Sequence, residues 1–190
     1  MELIIASNNK HKIYEIKKIL GGKFDSIRSL SEAGIDHETL EDGTTFYENA
    51  EKKAREIAML SGCAALADDS GICAHALDGA PGIFSARFSG GTDEDNNKLL
   101  LKMLADKDDK AAHYTCCMVL VYPDGKTVSA EGYMYGKIID TPRGEHGFGY
   151  DPIFVADGEE RTVAEMSDEE KNAISHRANA LKLLLERLED

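Results

Sequence analysis

The chain has 190 residues, 42% hydrophobic and 30% charged, which fits one globular domain, or one domain with two lobes, able to bury a sizeable core. Its net charge of −13 disfavours a nucleic-acid backbone as partner, whereas a small polyanion can still be received by a local cluster of Lys and Arg or by a divalent cation. No apolar run has the length of a signal peptide core or a membrane span, so the expectation is a cytoplasmic protein with no membrane partner.

In chain order, "ELIIA" reads as a short buried strand that breaks at "SNNKHK". "IYEIKKIL" then sets Ile13, Ile16, Ile19 and Leu20 on one helical face. Strand, polar turn and helix open an α/β unit. "EDGTTFYENAEKKAREIAML" predicts a second helix, with Thr45 and Glu48 as a capping box and Phe46, Ala50, Ala54, Ile57 and Ala58 as its inner stripe. "CAALA" predicts a second buried strand ending in the adjacent pair Asp68–Asp69. A packed loop of small residues follows, from Gly71 to Gly91. From Thr92 a third helix turns Leu99, Leu100, Met103 and Leu104 inward, and a β-hairpin turns at Pro123-Asp124-Gly125. A Gly/Pro-broken loop, "TPRGEHGFGYDPIFV", ends in a short strand. One last helix is capped by Ser167 and Glu170, with Ile174, Ala178, Leu181, Leu185 and Leu188 facing the core. Cys63, Cys73, Cys116 and Cys117 lack CxxC spacing and lie in apolar surroundings, as reduced core thiols do. The element order predicts a mixed, partly parallel sheet within a single α/β domain spanning 1–190.

Four segments can carry chemistry. In "SNNKHK", the first-turn amides of a helix have no intrahelical partners and the dipole favours an anion. Ser7, Asn8 and Asn9 suit such a turn, while Lys10 and Lys12 stand where the dipole disfavours cations, a placement that points to a bound anion; a plain Asn cap with solvated lysines is the alternative. Asp68 and Asp69 end a buried strand, so their side chains point to opposite faces unless the strand twists there; one can aim at a site while the other supports it, or both can reach a cation just past the strand end. With Glu41 at a loop–helix junction they offer hard oxygen ligands of the kind Mg²⁺ takes. In "HGFGYDPIF", two glycines flank Phe148, leaving its ring face clear for stacking on a base, and Asp151 can accept from a base edge. In "KNAISHRANAL", Lys171 and His176 lie about 140° apart on an ideal helix and cannot share a face, whereas His176 and Arg177, about 100° apart, can edge one cleft. Ser175 sits in no GxSxG elbow, so a Ser-His nucleophile is set aside.

Together, "ASNNKHK", "EDGTTFYENAEKKA", "LADDSG", "GAPGIFSARFSG", "GFGYDPIF" and "EEKNAISHRANAL" resemble the inosine triphosphate pyrophosphatase family, the noncanonical purine nucleoside triphosphate pyrophosphatases. The resemblance implies Mg²⁺-dependent hydrolysis of ITP, dITP and XTP to the monophosphate and pyrophosphate. It also implies an elongated mixed sheet flanked by helices, two lobes with the site in a cleft between them, and a homodimer. Carried over by motif, Ser7, Asn8, Asn9, Lys10, His11 and Lys12 hold the triphosphate, with Lys12 the main cation and Lys53 assisting. Glu41 and Asp69 bind metal, Asp69 is also the general base, and Asp68 supports them. Ser70 contacts the nucleotide. Phe148, Gly149, Tyr150 and Asp151 hold the base and sugar, joined by Lys171, His176 and Arg177. Many members of that family carry T-G-N-x-G-K in the first loop; here Ser7, Asn8 and His11 stand at its first, second and fifth positions. A related pyrophosphatase of the Maf type, or a nucleotide sensor without catalysis, are the competing readings.

Overall fold

The structure, a computed structural model, describes residues 2–189. The terminal residues of the expected 1–190 span lie outside it. Its elements are β1 (Glu2–Ile5), α1 (Lys10–Leu20), β2 (Ser26–Ser29), α2 (Phe46–Ser61), β3 (Ala64–Ala74), α3 (Asp93–Leu104), β4 (Ala111–Val121), β5 (Thr127–Ile138), β6 (Phe154–Ala156), α4 (Asp168–Ile174) and α5 (His176–Glu189). Short 3₁₀ turns link some of them. The six strands hydrogen-bond in the order β2-β1-β3-β4-β5-β6. β1 pairs parallel with both β2 and β3, while β5 and β6 are antiparallel, so the expected mixed sheet with flanking helices is present.

The chain divides into two compact units. The first takes the residues up to Asp69, Cys116–Gly132 and those from Arg177 onward. Its strands β1, β3 and β4 carry apolar residues on both faces, as strands covered on both sides by helices must. On one face Leu3, Ile5, Leu66, Cys116, Met118 and Leu120 pack with Ile16 and Leu20 of α1 and Leu181 and Leu184 of α5. On the other, Ile4, Ala65, Ala67, Cys117, Val119 and Val121 meet Ala50, Ala54, Ile57 and Ala58 of α2. The second unit, Ser70–Thr115 with Tyr133–His176, has its own core around Ile72, Leu100, Leu104, Tyr114, Met134, Ile153 and Phe154. The four cysteine thiols are free, and Cys73, Cys116 and Cys117 are buried.

Four local expectations are corrected. β3 does not end at the Asp pair but runs on through Ser70 and Gly71 to Ala74. Gly71 is there for space and not for a turn: a Cβ would lie 2.2 Å from the Gly82 carbonyl oxygen and 2.4 Å from Ser85 Oγ. The Thr45 cap accepts from the Glu48 amide, but Glu48 returns its bonds to the amide and hydroxyl of Thr44, one residue further out. In α3, Met103 is exposed and Leu99 half-buried, and the inward face is Asn96, Asn97, Leu100 and Leu104, with Asn96 accepting from the amide and hydroxyl of Ser89. The last helix is two, α4 and α5, separated at Ser175, which adopts an extended ψ of 149°. Its Ser167–Glu170 capping box is formed.

Gly71→Ala should therefore destabilise the protein by about 1–3 kcal/mol, since a backbone oxygen cannot give way as a flexible side chain would. Differential scanning calorimetry should show a melting temperature lowered by roughly 2–10 °C. An unchanged melting temperature would contradict the close approach.

Candidate functional site

The pleat of β3 decides where the paired carboxylates point. Asp68 falls on the Leu66 and Cys116 face, and Asp69 on the Ala65 and Ala67 face. Asp68 is met there by two cations. Its Oδ2 lies 3.0 Å from Lys12 Nζ and accepts from Arg177 Nη2 at 3.0 Å. The other terminal nitrogen of Arg177 donates to Glu15 of α1. The Cys116 thiol stands 4.0 Å from the same Asp68 oxygen. Arg177 is only 1% exposed, with its guanidinium bonded to both Asp68 and Glu15; the sequence also pairs it with His176 as a donor toward a base.

Lys12 reaches Asp68 because the turn before α1 is fixed. Asn9 caps the helix, its Oδ1 accepting from the amides of His11 and Lys12, and the Asn9 amide donates to Ser7 Oγ. The turn holds itself in shape with its own side chains. Asn8, Asn9, Lys10 and His11 remain exposed, with Ser7 and Lys12 half-buried.

On the opposite face, α2 supplies two groups to Asp69. Asn49 and Lys53 are one helical turn apart and so share a side. Asn49 Nδ2 donates to Asp69 Oδ2 at 3.0 Å, and Lys53 Nζ lies 3.9 Å from Asp69 Oδ1. The same ammonium donates to Glu41 Oε1 at 2.5 Å and to the Asp68 carbonyl at 2.8 Å. Glu41, Lys53 and Asp69 thus gather on one side of the strand, while Asp68, Lys12 and Arg177 occupy the other.

The electrostatics of the two acids differ in sign. Burial pushes the Asp68 carboxyl up, but Lys12, Arg177 and Lys53 together outweigh it and hold the group well below the usual carboxylate range. For Asp69 burial wins over Lys53, the Asn49 hydrogen bond and Lys12, so its carboxyl is raised. Burial alone would lower the Lys53 ammonium; the charges of Asp69, Asp68 and Glu41 overcome it and raise it. Adjacent residues of one strand thus carry a strongly acidic and a more basic carboxyl.

The remaining site residues lie in the second unit. Asp151 is buried and organises the "GFGYD" segment. Its Oδ2 accepts from Lys171 Nζ at 2.9 Å and from the Phe148 amide at 3.1 Å, and its Oδ1 accepts from the Tyr114 hydroxyl at 3.2 Å. Gly147 has a φ of 74°, and a Cβ there would lie 2.1 Å from Asp151 Oδ2, so only glycine fits. The Gly149 amide donates to Asp93, its carbonyl accepts from Asn97, and the Tyr150 hydroxyl donates to the Ser85 carbonyl. Lys171 Nζ sits 4.6 Å from the centroid of the half-buried Phe148 ring. His176 stacks on Tyr114 with centroids 4.6 Å apart and planes 11° from parallel. The break at Ser175 removes the 140° separation of a continuous helix, and Lys171 and His176 both address the Tyr114–Asp151 pair. Ser70, half-buried in β3, opens this unit.

Asn49, Glu15 and Tyr114 are the participants that sequence reasoning missed. Asn49 had a usable signal: a polar residue one turn before Lys53 and next to the Ala50–Ala54 core stripe. Among the described residues, no three His, Cys, Asp or Glu side chains form a preformed metal cage. The convergence of Glu41 and Asp69 on the Lys53 ammonium nevertheless shows two hard carboxylates directed at one cation.

Replacing Arg177 by Met should cost about 3–5 kcal/mol, because Asp68 and Glu15 lose their shared buried counter-ion. Urea denaturation should show this loss, and adding Asp68→Asn to Arg177→Met should recover part of it. Strictly additive effects of the two changes would contradict a direct pairing.

Residues 3–187 match the Ham1 family. A dITP/XTP pyrophosphatase of Ralstonia nicotianae is 48% identical over 98% of this chain and 96% of its own length. One from Clostridium perfringens is 46% identical over 98% and 97% respectively. Among solved structures, the Ham1 protein of Staphylococcus aureus superposes with a TM-score of 0.89 at 41% identity, covering 100% of this chain and 98% of that one. A nucleoside-triphosphatase / dITP/XTP pyrophosphatase of Mycobacterium abscessus gives 0.79 at 42% identity, covering 97% and 99%. With a profile matching almost its whole length and relatives of this similarity, the chain belongs to the Ham1 family.

Proposed function

We propose that this chain hydrolyses the noncanonical purine nucleoside triphosphates ITP, dITP and XTP to the monophosphate and pyrophosphate, clearing them from the nucleotide pool. The observation that carries the reading is the separation of Asp68 and Asp69 onto opposite faces of β3, Asp68 engaged by Lys12 and Arg177, and Asp69 beside Lys53, which also holds Glu41. A general base needs a carboxylate that is ionised yet basic, and of the two only Asp69 is raised. Asp68 is held down by Lys12, Arg177 and Lys53 and is a poor proton acceptor. Asp69 accordingly takes the proton of the attacking water, whose oxygen bonds to the α-phosphorus as the bond from that phosphorus to the bridging oxygen breaks. Pyrophosphate leaves with that bridging oxygen and its electron pair, and Lys12 and Lys53 neutralise the charge that develops on it.

Mg²⁺ belongs to the same proposal. Glu41 and Asp69 would hold it, since a pair of hard carboxylates completed by phosphate oxygens and water suits that ion. Bound there, it would supply charge neutralisation on the phosphates and acidify a coordinated water. The names carried by relatives at 48% and 46% identity support the substrate class. In the second unit, the Phe148 face suits stacking on a base, and Lys171 and His176 are donors for a 6-oxo group. Adenine, with an amino group at that position, would leave such donors unpaired. Among the described residues no helix is long and apolar enough to cross a membrane. Assembly as a cytoplasmic homodimer is carried by the family resemblance.

Chromatography of products from ITP, dITP, XTP, ATP and GTP, with and without Mg²⁺, tests the reading. The expected result is monophosphate plus pyrophosphate, dependent on Mg²⁺, with ITP turned over faster than ATP or GTP. Diphosphate plus phosphate, or equal rates on all five, would overturn it. Asp69→Asn should lower kcat by about 10²–10⁴-fold while ITP affinity is retained, as loss of a general base requires.

A further inference from the structure

α2 brings to Asp69 a second side chain that the function as proposed does not use. Asn49 is fully buried, at 0% exposure, on the first turn of α2. Burying a primary amide is unfavourable unless both its ends are bonded, and here both are. Nδ2 donates to Asp69 Oδ2 at 3.0 Å, and Oδ1 accepts from the Gly43 amide at 2.8 Å. Gly43 is two residues from Glu41, in the segment leading into α2. It is also packed too tightly for any other residue, since a Cβ there would lie 2.6 Å from Asn49 Oδ1 and 2.8 Å from Glu48 Cβ.

We infer that Asn49 is a positioning residue for hydrolysis: its amide ties the Glu41 segment to Asp69 and so fixes the spacing and orientation of the two carboxylates proposed to hold Mg²⁺. The inference rests on that proposed reading. Its chemistry is particular to an amide. The donor end binds one oxygen of Asp69, which sets the carboxylate plane and turns the other oxygen, Oδ1, toward Lys53 and the Glu41 side. The acceptor end holds the Gly43 backbone, which a hydroxyl could not do over the same reach while also serving Asp69. An Asp at this position would keep the acceptor and lose the donor, setting one carboxylate against another.

The variants Asn49→Ala and Asn49→Asp, made in the full chain, separate positioning from simple packing. Asn49→Asp is isosteric and keeps the bond to Gly43 but sets a second carboxyl against Asp69 in a buried place, so Asn49→Ser, which adds no charge, is made beside it and stands in for Asn49→Ala should that variant not fold. Steady-state kinetics on ITP should show kcat lowered by about 10–100-fold in each folded variant, the loss expected for one hydrogen bond to a charged group, with KM within about threefold of wild type. Calorimetric titration with Mn²⁺ alone, without nucleotide, should show Asn49→Ala, or Asn49→Ser if the Ala variant does not fold, weakened by about tenfold. Unchanged kcat in Asn49→Asp, or unchanged Mn²⁺ affinity in the truncated variant, would overturn the inference while leaving the proposed function standing. Equal loss of kcat and rise of KM, tracking a lowered melting temperature, would also overturn it, as the mark of a merely structural role. A wild-type protein that cleaves none of the triphosphates would instead remove the reading beneath it, and the inference with it.

Discussion

Everything in the first unit is arranged around one consequence of strand geometry: Asp68 and Asp69 are covalent neighbours that face opposite ways. Two carboxylates on one face would share their counter-ions and repel each other. The pleat gives each its own surroundings. Asp68 is neutralised by Lys12 from α1 and Arg177 from α5, with Glu15 balancing the guanidinium. Asp69 faces Asn49 and Lys53 from α2. Three helices are thus tied to one dipeptide, each by a polar group, in addition to the apolar stripes that pack them.

Such an arrangement exchanges some stability for chemistry. A buried ion pair rarely improves on a well-packed apolar pair of the same volume. The Asp68–Arg177–Glu15 group is therefore better understood as fixing a geometry than as strengthening the fold. What it fixes is the strand segment that carries Asp69. The Asp69 carboxyl on the other face is raised because its burial, with the Glu41 charge, outweighs Lys53, the Asn49 hydrogen bond and Lys12. The second unit uses the same device with different residues. Asp151 ties Tyr114, Lys171 and the Phe148 amide together, and Gly147 is the glycine whose missing side chain makes room for it.

Periodicity made most of the elements, the mixed sheet and the inner stripes of the first-unit helices legible in the sequence, but not the short edge strand β2, whose Ser26–Ser29 run carries a single apolar residue, Ile27. It also offered opposite faces for the Asp pair, with a twist that let both reach past the strand end as the alternative, and the pleat of β3 decides for the first. The extent of β3 was not legible. Ser70-Gly71 after two acids has the composition of a turn, and only the packed Gly82 and Ser85 reveal that the glycine answers to close approach. The break at Ser175 was hidden for a related reason: the apolar pattern continues through it, and one extended ψ angle leaves no mark on composition. Arg177 and Asn49 each have surroundings that composition does not show. A charged residue beside a histidine on a helix suggested a donor edging a cleft, and its burial against Asp68 left no mark in the sequence. Asn49, whose place beside the core stripe and one turn before Lys53 was its only signal, is bonded at both ends.

The central claim is that these adjacent acids have been driven apart in proton affinity by their separate surroundings. Carboxyl ¹³C chemical shifts of Asp68 and Asp69, followed by NMR as the pH is lowered in the metal-free protein, measure this directly. The account predicts that Asp69 titrates above the ordinary aspartate value of about 3.9 and that Asp68 stays ionised until the protein unfolds in acid. Two coincident titrations, or Asp68 protonating first, would contradict it.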